Sequence, residues 1–175
     1  MMTFSGSSLP DPTANEVSEV TLVVQQEPEA NADGLILKLI DLSSFCHQLY
    51  AQAHLAHLNI ECANFLALHK FLKKQYESHI EQVDALGELV RSMDYLMPMC
   101  QRGLLGAHKK FDHIKSHDAR EMLVTYVRNL EKAGFEAKDV GEYARQVKAP
   151  DIENYCAELV GAMFKAAWFL KASLR

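Results

Sequence analysis

The sequence predicts an all-α protein, a four-helix bundle with a short extra helix in the crossover between helices two and three. Three observations predict it. Apolar residues recur at three- and four-residue intervals over two long stretches, near residues 32–59 and 63–96. No stretch of useful length alternates apolar and polar residues as a half-buried strand does. The two prolines of the later chain, Pro98 and Pro150, fall between periodic stretches rather than inside them.

Residues 1–31 hold Pro10, Pro12, Pro28 and a Ser/Gly cluster but no helical period, so they read as a flexible arm. The arm is acidic: Asp11, Glu16, Glu19, Glu27 and Glu29 precede the first basic residue, Lys38. Residues 32–175 read as the bundle domain. Leu35, Leu39, Leu42, Phe45 and Leu49 give the first helix its buried stripe, from about Ala32 to Asn59. Phe65, Leu68, Leu72, Tyr76, Ile80 and Val83 do the same for a second, from about Ala63 to Leu96. Residues 97–116 are irregular, with room for one short helix. Asp118 is a plausible cap for a third helix running to about Lys132, which Gly134 is expected to break or bend. A short helical piece, about 137–146, follows. Pro150 suits a first-turn position, and Asp151 and Glu153 favour the N-terminus of a last helix reaching Leu174.

Composition narrows the function. The length of 175 residues suits one domain, and a formal net charge of −5 offers no general attraction to nucleic acid or anionic membrane. No apolar run approaches the roughly 20 residues of a membrane span. Nor does the N-terminus resemble a secretory signal. The four cysteines, Cys46, Cys62, Cys100 and Cys156, form no C-x-x-C pair, which fits a reducing, cytoplasmic setting. Met93, Met97, Met99 and Cys100 read as flexible packing rather than a soft-metal site.

Four-helix bundles often hold two iron ions through glutamates and Glu-x-x-His pairs on facing helices. The sequence contains no Glu-x-x-His, which disfavours a site inside the bundle. A different set is present: His57 at the end of helix one, and His69, Asp84 and Glu88 along helix two. Asp84 and Glu88 project about 60° and 100° round from His69, so the three share one side of the helix. His69 lies about 22 Å along the axis from Asp84, whereas metal–ligand bonds are about 2 Å. An antiparallel second copy of helix two removes the difficulty. With a crossing near residues 78–79, His69 of one chain faces Glu88 of the other, twice per two-fold dimer. Carboxylate with imidazole suits iron, with zinc as a possible substitute. The plainer alternative is a solvated acidic face beside a core histidine.

The segment from His57 to His69, HLNIECANFLALH, resembles the H-W-N-x-x-G-x-x-F-x-x-x-H stretch of the Dps family, the bacterial mini-ferritins. Asp84-x-x-x-Glu88 falls at that family's spacing, and Trp168-Phe169-Leu170 is similar to its C-terminal W-F-L. The resemblance covers about residues 32–175. It implies a ferritin-like fold and a cytoplasmic, hollow cage of twelve identical subunits built from two-fold dimers. It also implies oxidation of Fe(II) by peroxide or dioxygen at the dimer interface, storage of the ferric product, and protection against oxidative stress. By the match, His57 and His69 come from one subunit and Asp84 and Glu88 from its mate; Glu88 bridges two irons, and His57, Asp84 and Glu88 hold the tighter one. Acids near the start of the last helix, Asp139, Glu142, Asp151 and Glu153, correspond to the region that lines the family's pores.

Three residues depart from the pattern. Lys73 stands where the family has an Asp, one turn after the second histidine. An ammonium has no lone pair to give a metal. It is expected to occupy or repel the second iron position, paired with Asp84 or with Glu77; the alternative is that it snorkels outward and only its stem packs. His54 is a candidate compensating ligand or an ordinary hydrogen-bonded helix histidine. Leu58 replaces the family's Trp, which puts peroxide handling in question, and Cys62 replaces a loop Gly. Many Dps proteins bind DNA through basic tails, a mechanism that rests on phosphate neutralisation. The acidic arm and a cage charge of roughly −60 argue against that mechanism here. A basic cluster, Arg102, Lys109, Lys110, Lys115 and Arg120 with His108, His113 and His117, lies in and after the crossover.

Overall fold

The computed structural model describes residues 30–175; the acidic arm expected over 1–31 lies, but for its last two residues, outside them. Five helices follow one another: α1 (Ala32–Asn59), α2 (Phe65–Ser92), α3 (Gln101–Ala107), α4 (Ala119–Gln146) and α5 (Pro150–Ser173). Four long helices form the bundle and α3 is the short helix of the crossover. α1 packs along α2, α4 along α5, and α1 crosses to α4.

Caps fix the helix starts. Asn31 Oδ1 accepts from the Gly34 amide at 2.9 Å, and Asp118 Oδ1 from the Glu121 amide at 2.8 Å. Pro150 sits in the first turn of α5, where its missing N–H costs nothing. The core is a continuous set of leucines and alanines with Phe45 and Tyr126 at its centre. Cys46 and Cys156 lie within it, and burial pushes both thiols up to about 12, so they remain protonated packing residues.

Two sequence expectations are corrected. α2 stops at Ser92, not Leu96, because Asp94 turns into the left-handed region (φ 65°) and the Tyr95 amide bonds back to the Val90 carbonyl at 3.3 Å. No glycine announces this turn. α4 neither breaks nor bends into two pieces at Gly134; it is one helix of 28 residues. Gly134 is there for closeness. A Cβ at that position would stand 2.9 Å from the Phe164 ring of α5, and one at Gly141 would stand 3.2 Å from Cys156 Cβ. The two glycines lie two turns apart and let α5 sit deep against α4.

The crossover after α3 is irregular but fastened. Asn129 Nδ2 and Gln52 Nε2 both donate to the Asp112 carbonyl, at 2.7 and 2.8 Å, and His108 stacks on Phe45 at 4.0 Å. Among the described residues no helix is long and apolar enough to cross a membrane.

Candidate metal centre

The end of α1 and the start of α2 meet at a short connection, and that connection sets the site. The last carbonyls of a helix have no partner of their own. The His57 carbonyl is one of these, and His69 Nδ1 bonds it at 3.0 Å. In return His57 Nδ1 bonds the His69 carbonyl at 2.8 Å. The two imidazoles stack face to face, 3.7 Å apart and 21° from parallel. A carbonyl only accepts, so each Nδ1 carries the proton and donates. That leaves Nε2 of each ring outside the clamp, and in the neutral ring this is the nitrogen with which imidazole binds a metal.

Cys62 sits in this connection without strain. Asp94 and Lys148 are the only non-glycine residues with positive φ among those described, so position 62 needs no glycine. Leu58 points outward and is 63% exposed.

Aromatic rings wall the pair. Phe65 lies 5.0 Å from His69. Tyr76 meets His57 edge-on at 5.4 Å and His54 at 4.6 Å, and Tyr50 lies beyond, 6.3 Å from Tyr76. The period of α2 marks Tyr76 only as a stripe residue. Its place against His57 depends on how α1 and α2 rotate against each other, which no spacing in the sequence discloses. His54 is half-buried, makes no hydrogen bond among the described residues, and packs between Tyr76 and Tyr50.

The carboxylates are elsewhere. Asp84 and Glu88 are exposed on α2, and no group of three or more His, Cys, Asp or Glu side chains gathers among the described residues. One chain therefore brings His57 and His69 together and leaves Asp84 and Glu88 apart from them. Lys73 is also exposed, its ammonium 3.6 Å from Glu77 one turn on. Leu55 and Leu58 on α1 and Leu66 and Ile80 on α2 are exposed by 59, 63, 70 and 41%. Glu142, one of the acids near the start of α5, is engaged by Arg145 and Gln146, which hold its carboxyl down at about 2.

The bundle interior is a different environment. His79 bonds Gln82 Oε1 at 2.9 Å and the Tyr126 hydroxyl at 2.7 Å, and burial pushes its pKa down to about 4. No carboxylate is buried among the described residues, so the core offers imidazole without the acids a di-iron site inside the bundle needs.

Comparison with known proteins agrees with this architecture. A family model described as a ferritin-like domain matches residues 36–175. Dps from Staphylococcus aureus superposes with a TM-score of 0.79 at 17% identity, over 83% of this chain and 98% of that one. Dps from Thermosynechococcus elongatus gives 0.78 at 18%, over 82% and 91%. A Dps protein from Vibrio cholerae O1, described as one of the ferritin-like diiron-carboxylate proteins, gives 0.75 at 21%, over 82% and 90%. A sequence search of the curated proteins returns no match. These structural likenesses are likenesses of fold; the family model spans the whole bundle, and on that ground the chain belongs to the ferritin-like family.

Proposed function

We propose that this chain is a mini-ferritin of the Dps type. It assembles through two-fold dimers into a hollow dodecamer in the bacterial cytoplasm, oxidises Fe(II) with hydrogen peroxide or dioxygen between subunits, and keeps the ferric product inside. The observation that carries this reading is the reciprocal tether of His57 and His69, which spends both Nδ1 atoms on backbone carbonyls and leaves both Nε2 atoms outside the clamp. Such a pair lacks only anionic oxygen donors, and Asp84 and Glu88 stand exposed on the same side of α2. An antiparallel second copy delivers them. Leu66 and Ile80, exposed on the same side of α2 by its helical period, support such a contact.

Lys73 sets the stoichiometry. Crossing near residues 78–79 puts it opposite Asp84 of the partner subunit, at the position where a second ion needs a carboxylate. Its ammonium cancels part of the acid charge and offers no lone pair. The site therefore takes one iron, held by His57 with Asp84 and Glu88 of the partner subunit; His69 stands beside it, and Zn²⁺ competes for the same donors. Lys73 also favours a second reading, a cage of this fold that binds metal or a partner and oxidises iron poorly.

The two readings separate in one experiment. Fe(II) oxidation by peroxide and by dioxygen is followed for the natural chain, His57→Ala, Asp84→Asn and Lys73→Asp, with ion count from metal titration. Oxidation that is lost in His57→Ala and in Asp84→Asn, with a second ion gained in Lys73→Asp, supports the oxidase. A natural chain that binds metal but oxidises at the rate of free Fe(II) supports the second reading. Equal ion counts in the natural chain and Lys73→Asp overturn the role given to Lys73. Retardation of DNA at low salt would show that the basic crossover outweighs the acidic arm.

A further inference from the structure

A one-iron site meets a shortage of electrons. Reducing hydrogen peroxide to water takes two, and one Fe(II) gives one. Unless a second donor is at hand, the remainder leaves as hydroxyl radical. The Dps pattern has an oxidisable tryptophan beside the first histidine; this chain has Leu58 there, and its only tryptophan is Trp168 in α5.

The second donor is on the page. Tyr76 is half-buried, with its ring edge against His57 at 5.4 Å. Its hydroxyl makes no hydrogen bond among the described residues, unlike the core Tyr126, whose hydroxyl is held by His79. A phenol in ring contact with a metal-binding imidazole is placed to give up an electron, and the hydroxide formed as the O–O bond breaks is the base that takes its proton. Tyr50 continues the line of rings at 6.3 Å and reaches a groove open to solvent, lined also by His47, Leu55 and Leu105.

We propose that Tyr76 is an electron relay: it supplies the second electron of peroxide reduction at the His57 iron and is restored by the next Fe(II). This rests on the oxidase reading above. In the first step Fe(II), the Tyr76 phenol, H₂O₂ and one proton from solvent give Fe(III), the Tyr76 phenoxyl radical and two waters. The O–O bond breaks, one electron comes from iron, and one electron with its proton comes from the phenol. In the second step another Fe(II) and a solvent proton return the phenoxyl to the phenol. The sum is two Fe(II) oxidised per peroxide, with no hydroxyl radical released.

The test is freeze-quench electron paramagnetic resonance on the assembled full chain, loaded anaerobically with Fe(II) and mixed with H₂O₂. A tyrosyl signal is expected that narrows when the protein carries ring-deuterated tyrosine, which separates it from a radical on Trp168. Tyr76→Phe is expected to lose that signal, fall from two Fe(II) to one per peroxide, and yield hydroxyl spin-trap adducts. Tyr76→Trp, which keeps an oxidisable ring, is expected to restore the stoichiometry with a tryptophanyl signal. Light-scattering mass confirms that each variant is assembled. Iron oxidised two per peroxide without a tyrosyl signal, or an undiminished signal in Tyr76→Phe, overturns the relay and leaves the oxidase standing. A natural chain that oxidises no iron with peroxide at all overturns both.

Discussion

A buried imidazole that resists protonation makes the folded state sensitive to acid. His79 is neutral in the bundle core, donating through Nδ1 to Gln82 and accepting from Tyr126, and burial holds its pKa at about 4 against 6.5 in an open chain. Between those values the unfolded chain binds a proton that the folded chain refuses. The contribution of His79 to stability is therefore complete above about pH 6.5 and is lost as the pH falls toward 4. The loss amounts to roughly 3 kcal/mol per subunit. Denaturant midpoints at pH 4.5 and 7 are expected to differ clearly less in His79→Gln than in the natural chain; equal differences would mean another group sets the acid limit. Of the candidate site, His57 and His69 stand out in the sequence because ligand chemistry restricts residue type, and the fold brings them together; the meeting with Asp84 and Glu88 belongs to the proposed dimer. The walls do not stand out. Tyr76 is an ordinary stripe residue until two helices are set against each other. The carbonyl partners of the two imidazoles carry no side-chain signature at all.

At the level of the helix, the sequence announced what side chains control and hid what the backbone does alone. The bounds of α1 and α5 follow from Asn31, Pro150 and the apolar stripes, and the helices run as those features imply. The end of α2 depends on a left-handed Asp94, which shares no feature with glycine stops except its conformation. Gly134 misleads in the opposite direction, because the same residue type serves chain breaks and close packing. The packing role has a measurable consequence. Alanine is the better helix former by roughly 1 kcal/mol, yet Gly134→Ala would press its Cβ to 2.9 Å from the Phe164 ring. Overpacking of this kind costs about 1–3 kcal/mol. A net loss of about 1 kcal/mol is expected in chemical denaturation, recovered when Phe164→Leu makes room. A gain in the single variant would show that the ring simply moves aside.

At the scale of the whole molecule, one chain carries the His57–His69 pair and exposed apolar side chains on α1 and α2. Leu55, Leu58, Leu66 and Ile80 are all more than two-fifths exposed. Ile80 lies next to the crossing point of the antiparallel arrangement, so a two-fold axis there would bring both copies of residue 80 close together. Ile80→Glu then opposes like charges across the axis and removes apolar contact. Size-exclusion and light-scattering mass are expected to fall from a large assembly to small species, and Fe(II) oxidation to fall with it. An unchanged mass would place the contact on another face, such as that around Trp168 and Phe169.

The anchors that orient His57 and His69 are oxygens of the main chain, and this has a bearing on how the protein can change. Every residue type carries such an oxygen, so no replacement of a neighbouring side chain can delete it. Mutation is thus free to change the side chains that face the pair while the imidazoles keep their aim. A lineage, or an engineer, can retune which ion is welcomed without first rebuilding the clamp that receives it.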